Sequence, residues 1–390
     1  MTWMPPNMRS DRSFEYLPRA VRALRFHGPE PLGVADWPAL LEQTDRARLT
    51  LALGIRRREW LPAGVRGRIE RDLTNNAERY RRFTDVRGQI ADALMARRVP
   101  FLFLKGNTHF PYFCDDLLDR PQYDIDLFCP PAAIHEARCA LEELGFEAAA
   151  RPDRRADHLP PMIRRAPWQW HGDYFDPNLP PSIELHFRFW DASTEGFDVA
   201  GLAEFWNRRA GSALGLPDRL SYAALHALRH LLRGDLRLYH IYEIAYFLER
   251  SAGDDDFWQA WRHITAEPFR QIQAIPFRLA SDWFGCRLQA AAQEALNGLP
   301  APIVRWFDLF GAIPGGQSNK DELLLHLCLV RGAATRARIA ARRLLPMRGR
   351  PQRAATRAGH HAWALLHFTR SALRWWTIRT RTPRGDIVPG

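Results

Sequence analysis

The 390-residue sequence predicts an α+β protein, in which a small mixed sheet with flanking helices lies between helical N-terminal and C-terminal regions. Short apolar or alternating runs, typical of strands, lie within residues 99–197. Apolar residues recur at helical spacing before and after this segment. Two aspartates, Asp124 and Asp126, stand one residue apart inside the second predicted strand, which makes that strand the starting point for function.

The composition indicates a globular chain, long enough for two or three domains. Residues rich in Pro and Arg open the chain, and Gly/Pro/Arg-rich residues precede its last predicted helix. The predicted division is 1–35, an extended lead-in; 36–98, an N-terminal helical region; 99–197, the core with the sheet; 198–345, a helical domain; and 346–390, an Arg-rich tail with an amphipathic helix.

Cysteine usage and the N-terminus predict a cytoplasmic protein. The five cysteines are scattered and lack CxxC spacing, which argues against a disulfide framework or a zinc ribbon. The N-terminus has no apolar core of a signal peptide. No apolar run is long enough for a transmembrane helix.

The basic charge of the chain belongs to its tail. Residues 331–390 contain fourteen arginines and one acid, a net charge of +13, whereas the first 330 residues have a net charge of −2. A nearly neutral body argues against a long nucleic-acid groove. Lysine is rare, which makes Lys105 conspicuous.

Three strands follow from the pattern of apolar residues. The run VPFLFLKGN at 99–107 predicts a buried strand followed by a tight turn at Gly106. Residues 123–129 alternate, with Ile125, Leu127 and Cys129 on the buried face. The run PSIELHFRFW at 181–190 also alternates and presents Glu184 and His186 on its polar face, after an irregular segment or hairpin at 150–180.

The acidic pair predicts a metal site. Side chains at i and i+2 of a strand point the same way, so Asp124 and Asp126 can converge on hard cations. Glu184, on the polar face of the third strand, is the candidate third ligand. Two Mg²⁺ or Mn²⁺ ions held there would clamp the attacking and leaving oxygens of a phosphoryl displacement. The alternative is an ordinary solvated strand face.

Candidate donors for a triphosphate surround this pair. Glycine lets the backbone approach a phosphate closely, so Gly106 and Asn107 are predicted to contact it. Lys105 supplies a point charge for a phosphate or a salt bridge to a site carboxylate, and Arg120 could offset phosphate charge or pair with the carboxylates.

These segments, LKGN, then RPQYDIDLF, then HEARCALEELGF, then IELHF, together resemble the uncharacterised nucleotidyltransferase family of the polymerase-β-like superfamily, over roughly residues 85–250. The resemblance implies a polymerase-β-like core and metal-dependent transfer of a nucleoside monophosphate from a nucleoside triphosphate to an unknown acceptor. It implies catalytic and metal-binding roles for Asp124, Asp126 and Glu184, although Glu stands at 184 where Asp is commoner. The family's helical region with two histidines matches His226 and His230, with Glu243 in place of an Asp.

The histidines remain open to more than one interpretation. His226 and His230 lie at i and i+4 of one predicted helix, a spacing that zinc sites use, but no third ligand stands at a useful spacing in the sequence. We therefore favour nucleotide-cleft or core positions for them and include His230 among the nucleotide-binding residues. His186, beside Glu184, is also predicted there, facing the nucleotide or the acceptor.

An alternative function rests on the tail. Residues 360–380 predict an amphipathic helix with an apolar stripe, and arginines crowd in and after it. Such a helix can lie on an anionic membrane, bind a nucleic-acid backbone or dock on the helical domain. The chain would then be a non-catalytic binding protein that retains the fold. For the enzyme, a small molecule or a peptide is the expected acceptor rather than a nucleic acid.

Overall fold

The structure, a computed structural model, describes residues 16–149, 157–314, 320–345 and 354–381. These residues form sixteen α-helices and five strands. The helices are α1 (Tyr16–Ala23), α2 (Trp37–Ala47), α3 (Thr50–Arg56), α4 (Ala63–Ala96), α5 (Ile134–Glu143), α6 (Ala192–Glu195), α7 (Glu204–Asn207), α8 (Leu216–Arg233), α9 (Leu238–Arg250), α10 (Asp255–Ile264), α11 (Glu267–Phe284), α12 (Ala290–Asn297), α13 (Ala301–Phe310), α14 (Asp321–Leu329), α15 (Ala333–Leu344) and α16 (Ala354–Arg381).

The five strands form one mixed sheet. They are β1 (Leu102–Phe103), β2 (Asp124–Phe128), β3 (Phe146–Ala148), β4 (Met162–Arg164) and β5 (Ser182–His186), in the order β1-β2-β5-β4-β3. β2 and β5 run parallel, and the other neighbours are antiparallel. The mixed sheet and flanking helices agree with the predicted α+β class.

Both faces of the sheet are covered, and the alternation in β2 explains how. Ile125 and Leu127 are buried on one face, against an apolar cluster that includes α4 and α5. Phe128 points to the opposite face and packs with a second cluster that includes Phe189 and Leu225. The acids of β2 share that second face, which lies towards the helical part of the chain.

Helices α8 and α9 form a helical hairpin that lines the same pocket as the acids of β2. Gly234 ends α8 in the left-handed conformation (φ 73°), and its N–H donates to the carbonyl oxygens of His230 and Leu231. α11 packs against both helices, so the hairpin belongs to the largest apolar cluster of the described residues.

Two segments differ from the sequence prediction. Residues 16–23 were expected within an extended lead-in but form α1, which buries Ala20 and Val21 against α2 and α11. Prolines and arginines nearby obscured this short apolar face. The last helix begins at Ala354 rather than at 360. The first part of the lead-in and residues 346–353 and 382–390 of the tail lie outside the described residues, and the division into domains stays a prediction.

Residues 150–180 were predicted to form irregular structure or a hairpin, and the structure shows one strand of a hairpin in this range, β4. β4 pairs antiparallel with β3, which begins earlier at Phe146. Residues 150–156 lie outside the described part of the chain. Among the described helices, none has the length and apolar character needed to cross a membrane.

Candidate active site

The parallel pairing of β2 and β5 brings the predicted carboxylates together. Asp126 stands directly opposite Glu184, and Asp124 stands opposite Ser182 one pleat earlier. All three acids line one pocket, whose volume is about 170 Å³. Asp126 and Glu184 are far apart in the sequence, and the pairing of β2 with β5 alone makes them neighbours.

The three carboxylates differ in their electrostatics. Burial, together with the charge of Asp126, raises the pKa of Asp124 to about 6. Burial alone would also raise the pKa of Asp126, but the ammonium of Lys105 and the imidazole of His186 hold it below its usual value. Burial likewise opposes ionisation of Glu184, yet His186 holds the pKa of this carboxyl well below its usual range. Two of the three groups are thus kept ionised by named partners.

His186 lies behind the carboxylates rather than in the pocket. Its side chain is 0% exposed, with Nε2 3.3 Å from Oδ1 of Asp126 and 3.6 Å from Oε2 of Glu184. Burial would lower the pKa of His186, but these two acids raise it. The expected contact with nucleotide or acceptor does not fit this position. His186 is placed instead to orient and charge-balance the two acids.

A buried ion pair that the sequence did not suggest supports His186 from behind. Oδ2 of Asp157 lies 3.9 Å from Nδ1 of His186 and accepts from the guanidinium of Arg229, a residue of α8. Both members of this pair are buried. Asp157 stands in a stretch of mixed charge, so nothing in the sequence distinguished it from a surface acid. Arg229 gave no signal beyond its place on a helix.

Lys105 joins the two walls of the pocket. Its Nζ lies 2.9 Å from Oδ1 of Asp126 on the sheet and 2.9 Å from Nε2 of His226 on α8. The salt-bridge alternative for Lys105 is therefore present in the structure, and the residue still lines the pocket. Contact with a phosphate stays a prediction.

Glycine is favoured at 106 for two reasons. Its φ of 66° lies in the left-handed region, and a Cβ there would come within 2.5 Å of Nε2 of Gln122. Gln122 in turn donates to the carbonyl oxygen of Asp124, so the turn is fitted against β2. Asn107 does not line the pocket; its amide donates to Oγ1 of Thr84 on α4 at 3.4 Å. Gly106 is thus at the site, and Asn107 lies beside it.

Arg120 is fixed by a buried acid. Its Nε donates to Oε1 of Glu243 at 2.6 Å and its Nη2 to Oε2 at 3.3 Å, while Nδ1 of His109 lies 3.0 Å from Oε1. Burial would raise the pKa of Glu243, but Arg120 and His109 lower it to about 2. Arg120 lines the pocket, yet two of its N–H groups are already used. The pairing holds the loop before β2 against α9.

Histidines form the helical wall. His226 and His230 line the pocket from α8, and His240, from the first turn of α9, completes a group of three. Burial lowers the pKa of each, most strongly for His226 and His240. Sequence reasoning missed His240, because its nearness to the other two depends on how the helical hairpin closes.

The acidic group has the chemistry of a divalent-cation site. One ligand atom from each of Asp126, Glu184 and His186 lies within 4.8 Å of the others. Asp124 is not in this tight group but lines the same pocket, where burial and the neighbouring charge of Asp126 raise its pKa. Carboxylate oxygens are the ligands that Mg²⁺ and Mn²⁺ prefer. The residues present therefore fit such an ion.

A larger and more open depression of about 720 Å³ lies between α4 and residues 171–173. Arg68 and Asp72, which line it, form an ion pair at 2.8 Å. Size alone would favour this depression, and acids and a histidine line it as well, but neither group of three converging ligand atoms found among the described residues lies there. The chemistry therefore favours the pocket at β2 and β5.

The sheet presents converging acids to a pocket that basic side chains also line, which is an arrangement suited to a divalent cation and to phosphate groups. The sequence profile of the family described as uncharacterised nucleotidyltransferase matches residues 33–285. The chain belongs to this family, which confirms the resemblance seen in its motifs and supports nucleotidyl transfer as the general activity. No curated protein and no solved structure matches the chain.

Proposed function

We propose that the protein is a metal-dependent nucleotidyltransferase, which moves a nucleoside monophosphate from a nucleoside triphosphate to an acceptor hydroxyl with release of pyrophosphate. The observation that carries this proposal is the register of β2 and β5, which sets Asp126 beside Glu184 with Asp124 on the same strand. A glycine turn after β1, an aspartate pair on β2 and a carboxylate on a later strand also support a polymerase-β-like core.

Asp124, Asp126 and Glu184 would hold Mg²⁺ or Mn²⁺, and the cation would offset charge on the triphosphate. The chain's own groups prepare that site. Lys105 and His186 keep Asp126 ionised, and His186 does the same for Glu184. Catalysis of phosphoryl transfer depends mostly on such positioning and electrostatics.

Charged and polar side chains that line the pocket would receive the triphosphate. Lys105, Arg120 and His230 all line the pocket, and Gly106 lets the turn approach closely. The acceptor oxygen would form a bond to the α-phosphorus as the bond to the pyrophosphate oxygen breaks. The side chain of Glu184 is 24% exposed against 2% for Asp126, which supports a place for Glu184 beside the entering acceptor.

The acceptor is expected to be a small molecule or a peptide side chain. Outside the tail the chain is nearly neutral, which is unlike the basic groove of most nucleic-acid-binding proteins. The preferred nucleotide does not follow from the pocket residues. A panel of four nucleoside triphosphates, tested for transfer into proteins and small hydroxyl compounds, addresses both.

Calorimetric titration of the full chain with each nucleoside triphosphate, with Mg²⁺ or Mn²⁺ and without, tests the proposal. Wild type should bind at least one nucleotide in a metal-dependent manner, and Asp124→Asn or Asp126→Asn should lose that binding. Asp92→Asn, an exposed acid of α4, is the matched control and should behave as wild type. Absence of metal-dependent binding by wild type, or equal binding by Asp126→Asn, would overturn it.

One observation favours a second candidate function, binding of an anionic membrane surface by α16. Leu366, Leu373 and Trp376 of the predicted stripe are 51%, 60% and 61% exposed. The other face of α16 docks on the helical domain, where Ala364 and Ser371 are buried. One face of α16 therefore packs on the helical domain. The other face exposes apolar side chains near arginines, as helices that bind at a membrane surface do.

Vesicle co-sedimentation of the full chain tests this candidate. Binding to anionic vesicles, with little binding to zwitterionic ones, should fall on Leu366→Ser/Leu373→Ser but not on Ile55→Ser, an exposed apolar control. Truncation at residue 331 would be a poor test, because Arg343 of α15 bonds to Glu322 and to the end of α8. If the double variant bound anionic vesicles as well as wild type, or if the chain bound nucleic acid but no vesicles, the proposed membrane binding would be wrong.

A further inference from the structure

Three imidazoles face one another where α8 meets α9. We call His226, His230 and His240 the histidine triad. Their ring centroids are 4.5, 4.7 and 5.0 Å apart, and one ring nitrogen of each lies within 4.8 Å of the others. We infer that the histidine triad binds a divalent transition-metal ion, with Zn²⁺ the best chemical match, at a site separate from the carboxylates of the sheet.

The positions of the protons carry the argument. Nδ1 of His230 lies 2.9 Å from a carboxylate oxygen of Asp235, which can only accept, so the proton of a neutral His230 is on Nδ1. Nε2 of His226 lies 2.9 Å from the ammonium of Lys105, which can only donate. With a neutral His230, both Nε2 atoms therefore carry lone pairs, of which that of His226 already accepts from Lys105, and they lie 3.1 Å apart with no proton between them. A cation between them would resolve this repulsion.

His240 contributes an independent observation. Its Nδ1 is buried and makes no hydrogen bond with any described residue. A buried polar atom without a partner is costly unless something outside the chain satisfies it. The third histidine thus places one ring nitrogen in the same group of three, and its buried Nδ1 has no competing hydrogen bond among the described residues.

The surroundings match those of known imidazole sites in kind. Metal-binding histidines commonly donate their second ring N–H to a carboxylate, as His230 does to Asp235. Zn–N distances of about 2.0–2.1 Å in a tetrahedron place nitrogens roughly 3.4 Å apart, close to the spacing of His226 and His230. Imidazole suits Zn²⁺, whereas Mg²⁺ prefers oxygen. Three protein ligands leave a fourth position, and all three histidines line the pocket, so that position is open to water or to a phosphate oxygen.

Lys105 couples the two sites. Its ammonium contacts both Asp126 and the Nε2 of His226 that would ligate the metal. Metal binding at the histidine triad would require Lys105 to release His226 while it keeps Asp126. The inference does not rest on nucleotidyl transfer, because metal binding is measured without nucleotide.

Metal titration of the full chain tests the inference. Chelator-treated protein is titrated with Co²⁺, whose visible spectrum reports tetrahedral nitrogen ligands, and then with Zn²⁺ as competitor, in excess Mg²⁺ to occupy oxygen sites. One equivalent of Zn²⁺ should bind. Asp235→Asn should weaken it by about 10–100-fold, and His240→Ala by at least as much. His135→Ala, an exposed histidine of α5, is the matched control and should bind as wild type.

Circular dichroism and a His240→Gln variant guard against misfolding of His240→Ala. If neither Co²⁺ nor Zn²⁺ binds wild type under these conditions, the inference is wrong. It is equally wrong if folded His240→Ala and His240→Gln retain wild-type affinity, or if Asp126→Asn alone abolishes binding. None of these results bears on metal-dependent nucleotide binding, which is measured separately with Mg²⁺.

Discussion

The two walls of the pocket contrast in chemistry and in origin. The sheet wall presents oxygen ligands, Asp124, Asp126 and Glu184, from β2 and β5. The helical wall presents the imidazoles of His226, His230 and His240 from α8 and α9. One wall suits a hard cation and the other a borderline one. A single pocket can thus carry two sets of metal ligands. Lys105 contacts both sets and therefore couples metal binding at one to metal binding at the other.

Asp126→Asn should produce the largest loss of activity, because it removes a charged ligand from the sheet wall. It leaves the side chains of the helical wall unchanged. Loss of one charged ligand in a site that works by electrostatics is expected to reduce nucleotidyl transfer on the order of 10³-fold. Zn²⁺ affinity at the histidine triad should stay within a few-fold of wild type. Turnover of the nucleotide identified by titration, alongside Co²⁺ titration, measures both. Parallel loss of both properties would show that the two walls form one site.

Glu243→Gln should destabilise the fold by roughly 3–5 kcal/mol, because it leaves Arg120 buried without its ionised partner. Urea unfolding at neutral pH measures this difference. Glu30→Gln, which removes an exposed partner of Arg22, is the control and should change stability by at most about 1 kcal/mol.

The same pair predicts a pH dependence. The pKa of Glu243 is about 2 in the fold against 4.5 unfolded, so its stabilisation is complete above pH 4.5 and is lost as pH falls towards 2. The stability difference between wild type and Glu243→Gln should therefore shrink over that window. A difference that stays constant from pH 6 to pH 3 would count against the assigned ion pair.

Lys105→Met tests the link between the walls with a smaller effect. Removing the ammonium frees Nε2 of His226, so Zn²⁺ affinity at the histidine triad should rise, by about tenfold for a competing bond of roughly 1.4 kcal/mol. Metal-dependent nucleotide binding should weaken, because Asp126 loses its partner. Competition titration against a coloured chelator measures the first change. Unchanged or weaker Zn²⁺ binding would separate Lys105 from the triad.

Much of the sheet wall could be predicted from the sequence. Alternation placed Ile125 and Leu127 inside and Asp124 and Asp126 on the other face, since a strand has a strict period of two. A tight turn at Gly106 was predicted because a glycine follows a buried apolar run, and the positive φ of this residue agrees with such a turn. His186 lies on the predicted face of its strand, but neighbouring segments bury it completely, so its burial does not support the predicted contact with nucleotide or acceptor.

The helical wall and its supports could not be predicted in the same way. His240 stands ten residues beyond His230, a spacing that does not place two side chains together on one helix. The two histidines meet only because the chain reverses at Gly234. Asp157 reaches His186 only because the segment before β4 packs against the end of β5, with the N–H of Leu159 donating to the carbonyl oxygen of Leu185. Such contacts depend on packing between segments that are distant in sequence.

The sequence by itself determined the local features: which residues form β2, which of its side chains point away from the core, where α8 ends and which family the motifs resemble. These follow from backbone periodicity and from the conformational freedom of glycine, which act over a few residues. Only the tertiary structure decided that Asp126 meets Glu184, that Lys105 spans two ligand sets and that three histidines converge. Those contacts exist because β2 pairs in parallel with β5 and because α8 of the helical hairpin packs against one face of the sheet.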